Sequence, residues 1–238
     1  MVPAPNRRRF LSVACCTAAA AATLIPDRIA HASSPAKHTE LSADQALAAL
    51  KDGNERFIKA GAECFEDLAQ RRQSIAAGQA PFAVIVACSD SRVPPELLFA
   101  RGLGELFVIR DAGNTVDTVA TGSIQYAVEH LGVPLVVVLG HRRCGAVQAA
   151  VAVVEENAVF PGSIGQMVEP IVPAVLKAKG ASGDLLDNAV RENVRRTVMR
   201  LRTSSEPILK DPLEAGRLRV VGARYDLDDG RVDWFMES

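Results

Sequence analysis

Apolar residues gather in short continuous runs along most of the chain, separated by longer stretches where they recur every three or four positions. The runs over 82–88, 106–110, 135–140 and 218–225 alternate too little for strands with one wet face. They predict strands covered on both sides. Helical periodicity falls between them, near 117–131, 145–155, 164–179 and 184–203. Before the first run, Ser42 is placed to cap a helix whose apolar residues Ala46, Leu47, Leu50 and Phe57 share a face. A second helix is expected around 66–77. Strands alternating with helices imply an α/β fold, with a mainly parallel central sheet of about four parallel strands plus an edge strand, flanked by helices.

The first 32 residues read differently. Arg7, Arg8 and Arg9 precede an apolar, alanine-rich run over 11–25, and Ala30 and Ala32 set small residues where a signal peptidase reads. That run is too short and too weakly hydrophobic for a comfortable membrane span, so no stable membrane insertion is expected after leader removal. The arginines followed by Phe10 and Leu11 resemble a twin-arginine export signal; an ordinary Sec leader and an uncleaved tail are the alternatives. A lipoprotein reading of Cys15 or Cys16 fails, because both sit early in the apolar run. The expected organisation is a twin-arginine-like signal peptide over 1–32, a polar linker over 33–40 and one domain over 41–238. The protein would then be periplasmic or secreted.

Charge mainly excludes. Lys and Arg number 27 against 28 Asp and Glu, with no basic run beyond the N-terminus, so a nucleic-acid partner is not expected. Removing residues 1–32 takes four Arg and one Asp, leaving a mildly acidic chain of net charge −4. It also takes Cys15 and Cys16, leaving Cys64, Cys88 and Cys144. An odd count argues against a pure disulfide framework and leaves thiols for metal or chemistry. Cys64 reads as a spare thiol or an intersubunit bridge.

Candidate chemistry sits where two of the expected strands end. Cys88-Ser89-Asp90-Ser91-Arg92 follows the first, and Gly140-His141-Arg142-Arg143-Cys144-Gly145 follows a later one. Parallel strands deliver such ends to one crevice, so Cys88, His141 and Cys144 can converge. Two soft thiolates and an imidazole suit Zn²⁺, and three protein ligands leave a fourth position for water. Asp90 and Arg92 form a charge-assisted pair beside that set, a structural ion pair, or a helix cap in the case of Asp90; Asp90 as a fourth metal ligand in a closed state also stays open.

Four segments, in order, carry a resemblance. Residues 88–96 (CSDSRVPPE), 105–114 (ELFVIRDAGN), 125–133 (QYAVEHLGV) and 137–147 (VVLGHRRCGAV) resemble the β-class carbonic anhydrases, and 222–226 echoes that family's final strand. The resemblance implies reversible hydration of carbon dioxide to bicarbonate and a proton by a zinc-bound hydroxide. Its zinc ligands fall on Cys88, His141 and Cys144, and its catalytic Asp–Arg dyad on Asp90 and Arg92. Substrate-pocket residues fall on Gln79, Phe107, Tyr126 and Gly145, with the two aromatics supplied across a dimer. It further implies a homodimer, or a dimer of dimers, whose N-terminal helices wrap the neighbour. The chain departs from the family's usual pattern at Asp111, where an Asn is expected, at Arg142-Arg143, and at Ile85, where the bicarbonate-inhibited subtype often has Trp. Two further functions compete: a carbonyl sulfide or carbon disulfide hydrolase on the same scaffold, and a non-catalytic zinc-binding protein. A thiol redox role would want C-x-x-C, which is absent. His130, at the end of a helix, reads as a partner for the helix dipole.

Overall fold

The computed structural model describes residues 38–60 and 68–237, so the leader expected over 1–32 and Cys64 lie outside the described residues. Its strands are β1 (Ala83–Ala87), β2 (Leu106–Arg110), β3 (Leu135–His141), β4 (Arg219–Tyr225) and β5 (Val232–Met236). They lie in the order β2-β1-β3-β4-β5. The first four are mutually parallel and β5 is an antiparallel edge. Every residue of β1 and β3 is buried, which is why their sequences run apolar without alternation.

The helices are α1 (Ala43–Ala60), α2 (Leu68–Ile75), α3 (Pro95–Leu98), α4 (Thr118–Leu131), α5 (Gly145–Glu156), α6 (Ser163–Val168), α7 (Val172–Ala178), α8 (Leu185–Arg202) and α9 (Pro207–Glu214). On one sheet face Val84, Val86, Val136 and Val138 pack against α4 and α8. On the other, Ile85, Val137 and Leu139 meet Ala46, Leu47 and Leu50 of α1. Each such Val, Ile or Leu side chain contributes about 1.5–3 kcal/mol on full burial. Ser42 caps α1 as expected: its Oγ accepts from the Gln45 N–H at 3.3 Å, and Gln45 Oε1 accepts from the Ser42 N–H at 2.8 Å.

Helix α8 crosses the sheet closely, and glycines make that possible. A Cβ on Gly140 would stand 2.7 Å from Val194 Cγ2, and one on Gly222 would stand 2.9 Å from Val194 Cγ1. The single helix expected over 164–179 is corrected to α6, a 3-10 turn over Glu169–Ile171, and α7. Pro170 and Pro173 explain the break, since each lacks the N–H that a continuous helix needs. The strand expected to begin at 218 begins at Arg219. No helix among the described residues is long and apolar enough to cross a membrane.

Candidate metal centre

Cys88 directly follows β1, His141 closes β3, and Cys144 occupies the N-cap of α5. Strands β1 and β3 are parallel neighbours with Ala87 opposite Leu139, so both segments leave the sheet at the same end. Three buried side chains converge there. Their ligand atoms all lie within 4.8 Å of one another, and among the described residues this is the one such group. The sulfurs are 3.9 Å apart. Two thiolates on one tetrahedral ion, with bonds of about 2.3 Å, would stand about 3.8 Å apart.

His141 Nδ1 lies 2.9 Å from the carbonyl oxygen of Arg142. A carbonyl only accepts, so Nδ1 carries the proton and Nε2 keeps its lone pair. Nε2 is buried without a hydrogen-bond partner, a cost that coordination to a cation removes. The donor set fits a zinc ion: two thiolates, one imidazole with its tautomer already fixed, and, among the described residues, no fourth Cys or His closing the group.

The two thiols titrate as a pair. A hydrogen bond from Cys144 pulls Cys88 down against the opposing effect of burial, helped by the Gly113 N–H. The same bond, then burial, pushes Cys144 up, although the N–H groups of Val147 and Ala146 at the start of α5 pull the other way. The two sulfurs of the metal-free pair thus share one proton in a hydrogen bond, and a divalent cation displaces it.

Asp90 is gripped on both oxygens. Oδ1 accepts from Arg92 Nε at 2.9 Å and from the Arg92 backbone N–H at 3.0 Å, and Oδ2 accepts from Nη2 at 2.7 Å. These bonds hold the carboxyl well below the usual carboxylate range. Oδ2 also lies 3.8 Å from His141 Nε2, so the carboxylate borders the metal position while engaged with Arg92. It is not a helix cap: the N-cap of α3 is Pro94.

Two supports were not anticipated from the sequence. Arg110 Nε donates to the Cys88 carbonyl at 3.0 Å, and its Nη2 donates to the Asp90 carbonyl at 2.6 Å, which fixes the backbone between ligand and dyad. Gly113 donates its N–H to Cys88 Sγ at 3.2 Å and accepts at its carbonyl from buried Asn193 Nδ2 at 2.8 Å. With φ at +77° and an added Cβ only 2.6 Å from Ile171 Cδ1, position 113 admits only glycine without rearrangement. Gly113 had a signal, a glycine just after a strand; Asn193, eighty residues on, had none.

The residues expected to line the pocket are not all brought together within one chain. Gly145 opens α5 beside Cys144, with nothing within 4 Å of the place its Cβ would occupy. Phe107 pairs with Val84, four residues before Cys88, so it stands about 13 Å back along the strands. Gln79 precedes β1 by four residues, so it enters the strand at the end opposite the one that carries Cys88. Tyr126, on α4, lies with Phe107, their ring centroids 6.4 Å apart.

Asp111 follows β2, partly buried, and its carboxylate accepts no hydrogen bond from a described residue. Burial, then nearby Asp117, raise its pKa. The folded chain therefore binds this proton more tightly than the unfolded one, and ionised Asp111 costs stability above the ordinary carboxylate range. Discounted for solvent exposure, Asp111→Asn should raise the thermal midpoint at pH 7 by about 1–2 °C, and not at about pH 3. Calorimetry at both pH values checks this; a lowered midpoint at pH 7 contradicts it.

The family profile described as carbonic anhydrase matches residues 83–232. Carbonic anhydrase 2 of Mycobacterium tuberculosis is 42% identical over 184 residues, covering 77% of this chain and 88% of that protein. The chain belongs to the carbonic anhydrase family. Among solved structures, the Coccomyxa β-carbonic anhydrase in complex with acetazolamide aligns with a TM-score of 0.61 and 28% identity, covering 83% of this chain and 87% of that one. A tetrameric β-carbonic anhydrase from Sordaria macrospora shares the fold at a TM-score of 0.64 and 24% identity, over 81% of this chain and 97% of that one. The α/β architecture is that of the β class.

Proposed function

We propose that Cys88, His141 and Cys144 hold Zn²⁺ and that Asp90 and Arg92 are the catalytic pair beside it. The chain is a carbonic anhydrase, interconverting carbon dioxide and bicarbonate. The observation that carries the metal assignment is the buried, partnerless Nε2 of His141 facing two sulfurs 3.9 Å apart.

When bound, the ion acts as a Lewis acid that lowers the pKa of a water to about 7 in the best-studied zinc anhydrases, which makes a nucleophile available at neutral pH. Asp90, ionised throughout the neutral range, accepts a hydrogen bond from the attacking water at Oδ2 and so turns an oxygen lone pair toward carbon dioxide. Arg92 keeps that carboxylate anionic and turned to the dyad by occupying both oxygens. The Gly113 N–H draws charge from the Cys88 sulfur, and the N-terminus of α5 does the same for Cys144. Gly145, without a side chain, leaves room for the substrate.

Gln79, Phe107 and Tyr126 complete the pocket from a second copy of the chain. Strand β2 is the outer strand of the sheet on that side, with an unpaired edge. Tyr126 and Leu103, near it in the fold, are 41% and 42% exposed in the single chain. A homodimer, itself able to pair into a dimer of dimers, would cover them and bring the partner's glutamine and aromatics to each metal. Sedimentation giving a 25.3 kDa monomer at assay concentration would contradict this. The leader over 1–32 is assigned to twin-arginine export, which carries folded and hence metal-loaded protein outside the cytoplasm. An envelope-fraction protein that still begins at Met1 would contradict removal.

Stopped-flow hydration of carbon dioxide with a pH indicator tests the activity. Dialysis against a chelator is expected to abolish it and added Zn²⁺ to restore it. Full activity in metal-free protein would refute the assignment.

A further inference from the structure

Only Arg142 and Arg143 separate the ligands His141 and Cys144, and both reach one carboxylate. Arg142 Nη1 donates to Asp228 Oδ2 at 2.6 Å; Arg143 Nη1 and Nη2 donate to Oδ2 and Oδ1 at 2.9 and 2.6 Å. Asp228 belongs to the turn between β4 and β5, 84 residues beyond Cys144.

That turn is rigid. Asp228 N–H is tied to Asp226 Oδ1 at 2.9 Å, and the Asp226 N–H to the Arg231 carbonyl at 2.8 Å. Buried Asn54 of α1 braces the far side, donating to the Gly230 carbonyl at 2.9 Å and accepting from the Val232 N–H at 3.0 Å. The strand end that enters it is joined to the metal segment directly, since the Arg142 N–H donates to the carbonyl of Tyr225, the last residue of β4, at 2.9 Å, and Oδ2 of Asp226, the first turn residue, stands 3.5 Å from Arg142 Nη1. Arg143 meanwhile holds φ at +53°, a left-handed backbone that an arginine keeps only where its surroundings impose it.

We propose that Asp228 is a positioning residue for the metal segment. By holding the two side chains between His141 and Cys144, it fixes the Arg142 carbonyl that orients the imidazole, and the backbone that delivers the Cys144 sulfur. Asp228 touches neither metal nor substrate; it acts through Arg142 and Arg143. The departure at these two positions thus has its own partner in the fold.

The inference rests on the zinc site proposed above, and zinc affinity measured against a competing chelating dye separates the two. A wild-type chain that takes up no zinc overturns that site and the clamp with it. If wild type binds, Asp228→Asn should weaken zinc about tenfold, the range found for residues that orient a metal ligand. Arg143→Gly should weaken it similarly, and the double variant should lose little more than either alone. Glycine relieves the left-handed backbone, so a purely structural role predicts no loss of zinc for Arg143→Gly and an unchanged or raised thermal midpoint of the apo chain. Since the carboxylate and guanidinium groups are about half exposed, about 1 M salt should speed zinc release from wild type but not from Asp228→Asn. Wild-type zinc affinity in both variants, or fully additive losses, would overturn the clamp.

Discussion

Asp90→Asn keeps its full complement of zinc and loses about 10²–10³-fold in kcat, the order that one positioned hydrogen-bonding group at a reacting centre supplies. The reasoning is geometric. Asp90 lies beside the metal position, 3.8 Å from His141 Nε2, yet both its oxygens are taken by Arg92. Removing its charge leaves the three ligands in place and weakens the acceptor that orients water, because the one amide oxygen that remains is drawn to the Arg92 donors and the other position becomes an NH₂ donor. Because Arg92 holds the carboxyl far below the usual range, wild-type Asp90 does not titrate near neutrality. The deficit should therefore be the same across the neutral pH range and should not be recovered in alkali. Metal analysis alongside stopped-flow kinetics reads both halves of the prediction; turnover near wild type in zinc-loaded Asp90→Asn would remove Asp90 from the mechanism.

Cys144→Ser should arrive from purification nearly free of zinc, with hydration at background. A structural zinc site of four ligands is worth about 10–16 kcal/mol, so one ligand carries about 3–4 kcal/mol, or about 10²–10³-fold in affinity. Serine fills the volume but ionises too weakly to replace a thiolate. Cys144 is buried at the start of α5, beside Val147, within a cluster that also holds Cys88, Ile171 and Val175. The chain should remain folded by circular dichroism, which separates metal loss from collapse. Stoichiometric zinc in this variant would contradict the assigned ligand.

The convergence of Cys88, His141 and Cys144 was legible because they stand at or just past the ends of continuous apolar runs, and parallel neighbours deliver such ends to one place. Asp90 and Arg92 were legible for the same reason, lying two and four residues past a ligand. Elements held together by tertiary contact were not. Helix α9 starts at Pro207 and contains Pro212, so its short apolar face gives little periodic signal. Strand β5 follows Asp229-Gly230, a hairpin signal, but none of its residues is fully buried, so it lacks the continuous apolar run that marks β1 and β3 and the expected edge strand had no fixed place in the sequence. The 164–179 segment has helical periodicity, but its prolines interrupt the ladder. Asn193 and Asp228 lie far along the chain from the groups they hold, and only the fold brings them near. Phe107 lies four residues back from the metal end of the sheet, with Tyr126 packed against it, and Gln79 precedes β1, so the pocket role proposed for these three requires a second copy.

The central claim is that two sulfurs and one imidazole hold a single ion with one position left for water. X-ray absorption at the zinc edge of the purified holoprotein measures that shell directly. The account predicts two sulfurs at about 2.3 Å, one imidazole nitrogen at about 2.0–2.1 Å and one further light atom. A shell of four protein sulfurs, a shell without sulfur, or active protein with no zinc edge at all would contradict it.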